Sequence, residues 1–309
     1  MPFFVYICEF IFRQIMKKFI LIFCFIIGCT VLNAQDTTVF EAYSDEIENR
    51  LRACYETADD TEKIKLASAA FEKLEEALQQ EGAFEYDFYK LKNISSVVSQ
   101  DGKLRILTFG TALNSGKYIY YGFIMYYNGE TLRITKLTDD AGKQSNPQNA
   151  DMQADNWFGA IYYEIRQFGD PRSPVYALCG WDGADMFINR KVLEQLVIGE
   201  YGEPRFGGKF RSEKEGESTR LIFSYTERAT MSLGYNQKLK MIVGDHLSTP
   251  PQYRGNVRFL GPDMSFDGFA YENGKWVYYP DVDVKLKKDN LNNRQRQNPV
   301  NTVRNPWDL

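Results

Sequence analysis

Histidine is nearly absent: the 309 residues contain one, His246. Zinc sites draw on clustered His and Cys at fixed spacings, and no such spacing occurs here. Cysteine is also scarce. Of the five cysteines, Cys8, Cys24 and Cys29 lie near the N-terminus, leaving only Cys54 and Cys179 for the body. Both fall on apolar faces, where a thiol behaves as a small hydrophobe, so two buried free thiols are expected. No Gly-x-Ser-x-Gly elbow occurs, which removes the commonest frame for a serine nucleophile. Asp245 precedes His246, but adjacent strand residues face opposite sides, so it cannot readily orient the ring. No catalytic residue is nominated. Gly202–Lys209 misses the phosphate-loop pattern: its Lys comes one place late and Phe210 replaces Ser or Thr.

No apolar run reaches the roughly 20 residues that span a bilayer. The nearest, Phe19–Leu32, follows Lys17-Lys18 and ends near Ala34. This is the outline of a signal peptide over residues 1–34, with Met16 the better start. It predicts a periplasmic or secreted product. Ile26-Ile27-Gly28-Cys29 offers a second outcome, an outer-membrane lipoprotein held by a lipid on Cys29, the one membrane contact expected. The leader carries Arg13, Lys17 and Lys18 against Glu9, so its removal makes the chain more acidic than the formal −4. An acidic body argues against nucleic acid as a partner.

Aromatics, in contrast, are plentiful, with twenty Tyr and twenty-two Phe. That composition favours strands. The N-terminal part is nonetheless helical. Phe40, Tyr43, Ile47, Leu51 and Cys54 step by three and four, as do Ile64, Ala67, Phe71, Leu74 and Leu78. Asp59 followed by Glu62 resembles a capping box, and Gly82 a stop. From Asn93 the period becomes two, and about a dozen short strands follow, separated by turn dipeptides. Asp101-Gly102, Asn128-Gly129 and Asn273-Gly274 are the dipeptides that type I′ hairpins use. Lys191–Ile198 fits a helix or a strand. Val257–Leu260 is expected as a strand, and residues 211–219 as a charged loop. The fold expected is α+β: a helical hairpin region (35–92), then a large antiparallel β domain (93–284) built as a sandwich, barrel or propeller. The basic tail (285–309) has little to bury and is expected to stay unstructured.

Candidate ligands are aspartates and tryptophans. Asp263, Asp267, Asp281 and Asp283 could contribute to a calcium site, since calcium takes six to eight oxygens from several loops. Asp-Gly and Pro-Asp also serve ordinary turns, so no resident cofactor is required. Trp181, Asp182, Asp185 and Trp276 could bind a glycan or peptide, the aromatic rings acting as platforms.

Five stretches carry a resemblance: Phe84–Phe88, Ser99–Ile106, Leu178–Gly183, Ile242–Leu247, and Gly261–Asp263 through Trp276 to Asp281–Asp283. Their order resembles an uncharacterised family of exported bacterial proteins, over roughly residues 40–284. The resemblance implies an envelope or secreted protein and carries over no active-site residue. The expectation is therefore an exported, non-catalytic binding or structural protein whose partner is an envelope protein or a glycan. The alternatives are a carbohydrate-active hydrolase using paired carboxylates and a calcium-stabilised adhesion module.

Overall fold

The computed structural model describes residues 37–284, apart from 141, 143–144 and 213–215. The leader with Met16 and Cys29, and the tail 285–309, lie outside the described residues. Two helices open the fold: α1 over residues 37–56 and α2 over Asp60–Leu78. Asp59 caps α2 by accepting the Glu62 amide at 2.8 Å. The apolar stripes face inward as expected, with Phe40, Ile47, Leu51, Cys54, Ala67, Phe71, Leu74 and Leu78 buried. Ile64 is the exception and lies exposed near the start of α2.

Sixteen strands follow among the described residues. In chain order they are β1 Ser95–Val98, β2 Leu104–Ala112, β3 Tyr118–Tyr127, β4 Leu132–Thr138, β5 Met152–Gln153, β6 Ile161–Asp170, β7 Ser173–Asp182 and β8 Ile188–Ile198. The rest are β9 Pro204–Phe206, β10 Phe210–Ser212, β11 Gly216–Ser218, β12 Arg220–Thr226, β13 Leu233–Asn236, β14 Met241–Ser248, β15 Gly261–Glu272 and β16 Lys275–Tyr279. They form three sheets, not a closed barrel. The first has order β1-β2-β3-β4. The second has order β5-β9-β8-β7-β6, with β12 also on β8. The third has order β11-β10-β16-β15-β14-β13.

The core residues show how these sheets stack. Leu107, Phe109, Tyr121 and Phe123 of the first sheet pack with the helices, around Phe71. Leu104, Ile106, Tyr120 and Ile124, on its other face, pack with Tyr162, Leu178, Val192 and Leu196 of the second sheet. The second sheet's far face sets Ala177, Cys179, Leu193 and Phe223 against Phe210, Ile242, Phe269 and Trp276 of the third. The outer face of the third sheet carries a small cluster closed by Val282. The layers therefore run helices, sheet, sheet, sheet. This explains why the first eight residues of β2 are all buried, without alternation. Strands covered on both faces read as continuous apolar runs. Truncating a buried Phe such as Phe123 would cost about 3–5 kcal/mol.

Cys54 and Cys179 are free and buried. Burial pushes the Cys179 thiol up, away from reactive thiolate chemistry. Several local expectations are settled or corrected. Lys191–Ile198 belongs to a strand, because β7 flanks it on one side and β9 and β12 on the other. Val257–Phe259 is a 3-10 turn. The stretch expected as a charged loop instead supplies the last two residues of β10 and all of β11. Only Asn273-Gly274 has both turn residues at positive φ (50° and 79°), as type I′ requires. At the other two dipeptides only Gly102 and Gly129 are positive. Among the described residues, no helix is long and apolar enough to cross a membrane.

Candidate functional site

The nominated residues fall in three places. Trp181, Asp182 and Asp185 occupy the end of β7 and the turn into β8. Asp182 is buried, because Tyr120 from the first sheet reaches across to it. The Tyr120 hydroxyl donates to Asp182 Oδ1 at 2.9 Å and accepts the Gly183 amide at 2.8 Å. Arg190 Nη1 donates to Asp182 Oδ2 at 3.1 Å. Burial pushes the Asp182 carboxyl up, against the pull of Arg190 and Tyr120. The Tyr120 hydroxyl is pushed up too, by its own burial and then by the charge of Asp182. This trio fastens the first sheet to the second. Asp185 caps the turn, its Oδ1 accepting the Phe187 and Ile188 amides at 2.7 and 3.1 Å. The Trp181 ring is partly exposed and meets Tyr118 edge-on, with centroids 5.2 Å apart.

Trp276 is placed differently. Its side chain is in the core, 2% exposed, stacked on Phe210 at 5.3 Å, and its indole donates to Gln195 Oε1 at 2.9 Å. A ring so enclosed cannot act as a surface platform. It locks the third sheet to the second instead.

The aspartates of β15 converge on the single histidine. Between β14 and β15 the register shifts, so two steps on β14, Asp245 to Leu247, oppose four on β15, Phe266 to Pro262. Met264 takes positive φ within this irregularity. The extra residues bring Asp263 and Asp267 to opposite ring nitrogens of His246. Asp267 Oδ2 lies 2.7 Å from Nδ1, and Asp263 Oδ2 lies 4.0 Å from Nε2. Asp267 Oδ1 also accepts the Asp281 amide at 3.4 Å. Burial pushes the Asp263 carboxyl up. The Ser265 hydroxyl and amide, His246 and Ser248 outweigh that and hold it below the usual range. Asp267, on the opposing strand, therefore takes the part that chain adjacency denies to Asp245, whose carboxylate accepts the Ser232 amide at 2.7 Å. Two of the four calcium candidates meet here by side chain and Asp281 by its backbone, while Asp283 lies just beyond Val282. Among the described residues, no group of three or more His, Cys, Asp or Glu is arranged to hold a metal ion.

Sequence patterns nominate none of the residues on a fourth feature. Pro251–Phe259, the link between β14 and β15, is exposed throughout. It carries Tyr253 and Phe259, stacked at 3.9 Å with 8° between planes and still 41% and 44% exposed. Arg258 sets its guanidinium over the ring of Phe187, 4.1 Å from the centroid. The end of β12 holds the two loops together: the Thr226 amide donates to Leu260 O at 2.8 Å, and the Glu227 amide to Phe187 O at 2.9 Å. Pro250-Pro251, with aromatics in a segment too polar to bury, is the one sequence signal that could have marked it. No family model, curated protein or solved structure matches this chain.

Proposed function

We propose that this chain is an exported, non-catalytic binding module of the bacterial cell envelope. One observation carries this reading: four of the six nominated carboxylates are occupied as fasteners, while a cluster of exposed aromatic and cationic groups sits on two loops. Asp182 ties two sheets through Tyr120 and Arg190. Asp185 caps a turn, Asp263 accepts from Ser265, and Asp267 holds His246. Binding residues concentrate on loops presented by a rigid scaffold, and here the scaffold is a three-sheet stack with helices on one side. The leader-like segment before Ala34 supports export, and the resemblance to an exported bacterial family supports the envelope.

The test is turnover. The purified chain is incubated with panels of glycoside, ester and peptide substrates. The expected result is no product above the buffer blank. Sustained turnover that is lost in Asp267→Asn or His246→Gln would sink the non-catalytic reading and favour hydrolysis.

A further inference from the structure

We infer that the face formed by Phe187, Tyr253, Arg258 and Phe259 binds an acidic polysaccharide; the inference rests on the binding-module reading. Three large rings, each more than 40% exposed, lie on two adjoining loops. Clustered exposed apolar groups on a soluble fold mark an interaction surface. The rings are ordered by their neighbours: Tyr253 and Phe259 by each other, Phe187 by Arg258. Ordering them beforehand lowers the entropy lost on binding.

Charge decides the class of ligand. The chain as a whole is acidic, with net charge −4. This face runs the other way. Arg258 lies on it, Arg254 is exposed on the same loop, and Arg228 follows the β12 end that joins the two loops. Arg228 is 88% exposed and meets Glu227 at 3.4 Å. The neighbouring Asp185 is turned into its own loop, accepting two backbone amides. A partner that suits the face offers flat, weakly polar ring faces for stacking and carboxylates at intervals for guanidinium forks. A uronate polymer has both. Nucleic acid also pairs rings with anionic groups, but an exported envelope chain, on the reading this inference rests on, meets surface polysaccharides rather than nucleic acid, and the oligonucleotide arm of the titration tests this.

The full chain is titrated calorimetrically at low salt with an oligogalacturonate, a neutral oligosaccharide of equal length and a single-stranded oligodeoxynucleotide. Binding of the uronate alone is expected, weakening with added salt. Arg258→Gln and Phe259→Ala each weaken it at least about tenfold. Arg258→Lys keeps the charge, loses the fork, and falls between Arg258→Gln and the unmodified chain. Lys65→Gln, on α2, leaves affinity unchanged. Thermal unfolding is followed for each variant, and Arg258→Lys carries the test if Phe259→Ala does not fold. Equal binding of the neutral sugar, matching affinity for the oligonucleotide, no binding at all, or indifference to Arg258→Gln would each overturn the proposal. Mass spectrometry of the recovered uronate separates the two readings. Cleavage ends the non-catalytic reading and leaves the surface standing. Absence of binding removes the surface alone.

Discussion

Glu194 and Arg220 are both fully buried, and removing both should cost much less than the two single losses summed. Arg220 Nε donates to Glu194 Oε1 at 2.6 Å. Tyr162 donates its hydroxyl to Glu194 Oε2 and accepts from the Trp157 indole at 2.8 Å. Arg220 also donates to Ala150 O at 2.9 Å and to Pro147 O. In Glu194→Leu the guanidinium stays buried without its counterion, which costs about 3–5 kcal/mol. Arg220→Met strands the carboxylate instead, at a similar cost. With both replaced, no charge is stranded. Ala150 O keeps its bond from the Thr219 hydroxyl at 2.9 Å. What remains is the Pro147 carbonyl and the Tyr162 hydroxyl, one or both short of a partner at about 1–3 kcal/mol each. At mid-range values the singles sum to about 8 kcal/mol and the double costs about 2–4, so the double should fall about 4–6 kcal/mol short of the sum. Urea unfolding at pH 7 measures all three. Each single variant should also lower Tm by roughly 6–20 °C for a domain of this size. Additive losses, or a single loss under about 1 kcal/mol, would refute the idea that this pair matters through its charges.

Three further outcomes follow. An added Cβ at Gly116, which has φ of 82°, would overlap Met186 Cγ and lie 2.5 Å from its amide nitrogen. Gly116→Ala should lose about 2–4 kcal/mol and disturb the loop bearing Phe187. Gly129→Ala, at φ 103° with open space around it, should lose only the backbone strain, about 1–2 kcal/mol; equal losses in denaturant titrations would defeat the steric argument. Burial pushes the Asp101 carboxyl up, but the Ser99 and Tyr176 hydroxyls and the Lys103 amide outweigh it and hold it below the usual range. A depressed carboxylate stabilises the fold above its unfolded pKa, and that contribution is lost as pH falls through the folded value. Asp101→Asn should thus be less stable than the unmodified chain at pH 7, and the gap should close below about pH 4; a gap that stays constant to pH 2.5 would contradict this. Finally, Asp263 and Asp267 are already engaged by Ser265 and His246. Melting in EDTA and in excess calcium should coincide, because only a ligand favouring the folded state shifts the midpoint. A rise of several degrees with calcium would instead support the calcium-stabilised alternative.

How far the residues announce this structure depends on the range over which each feature is decided. The helix faces were legible because their period is local: Phe40, Ile47, Leu51 and Cys54 land on one side whatever lies opposite. The strands were legible from alternation and turn dipeptides. Lys191–Ile198 stayed ambiguous because β8 is covered on both sides and paired along both edges, which erases the two-residue signature. Layering was not legible, since nothing in β2 says which of its two apolar faces meets helices and which meets another sheet. The histidine cluster was hidden for another reason. His246 finds its partner across strands, and the pairing depends on an irregularity between β14 and β15 that no neighbouring residue specifies. Trp276 misled because an indole with a satisfied N–H suits a core as well as a surface.

The path of the chain through the outer two sheets bears on how the molecule is made. β10 and β11 belong to the third sheet, β12 crosses to the second, and β13 returns to the third. β10 then pairs in parallel with β16, Phe210 opposite Trp276, about 66 residues further on. The helices and first sheet, contiguous from residue 37 to Thr138, can assemble without waiting for the rest of the chain. The outermost sheet has to wait for β16, because contacts so far apart close late and slowly. Until then β10 and the inner face of β14 are bare, and a chaperone that holds the partly folded chain would find its binding surface there.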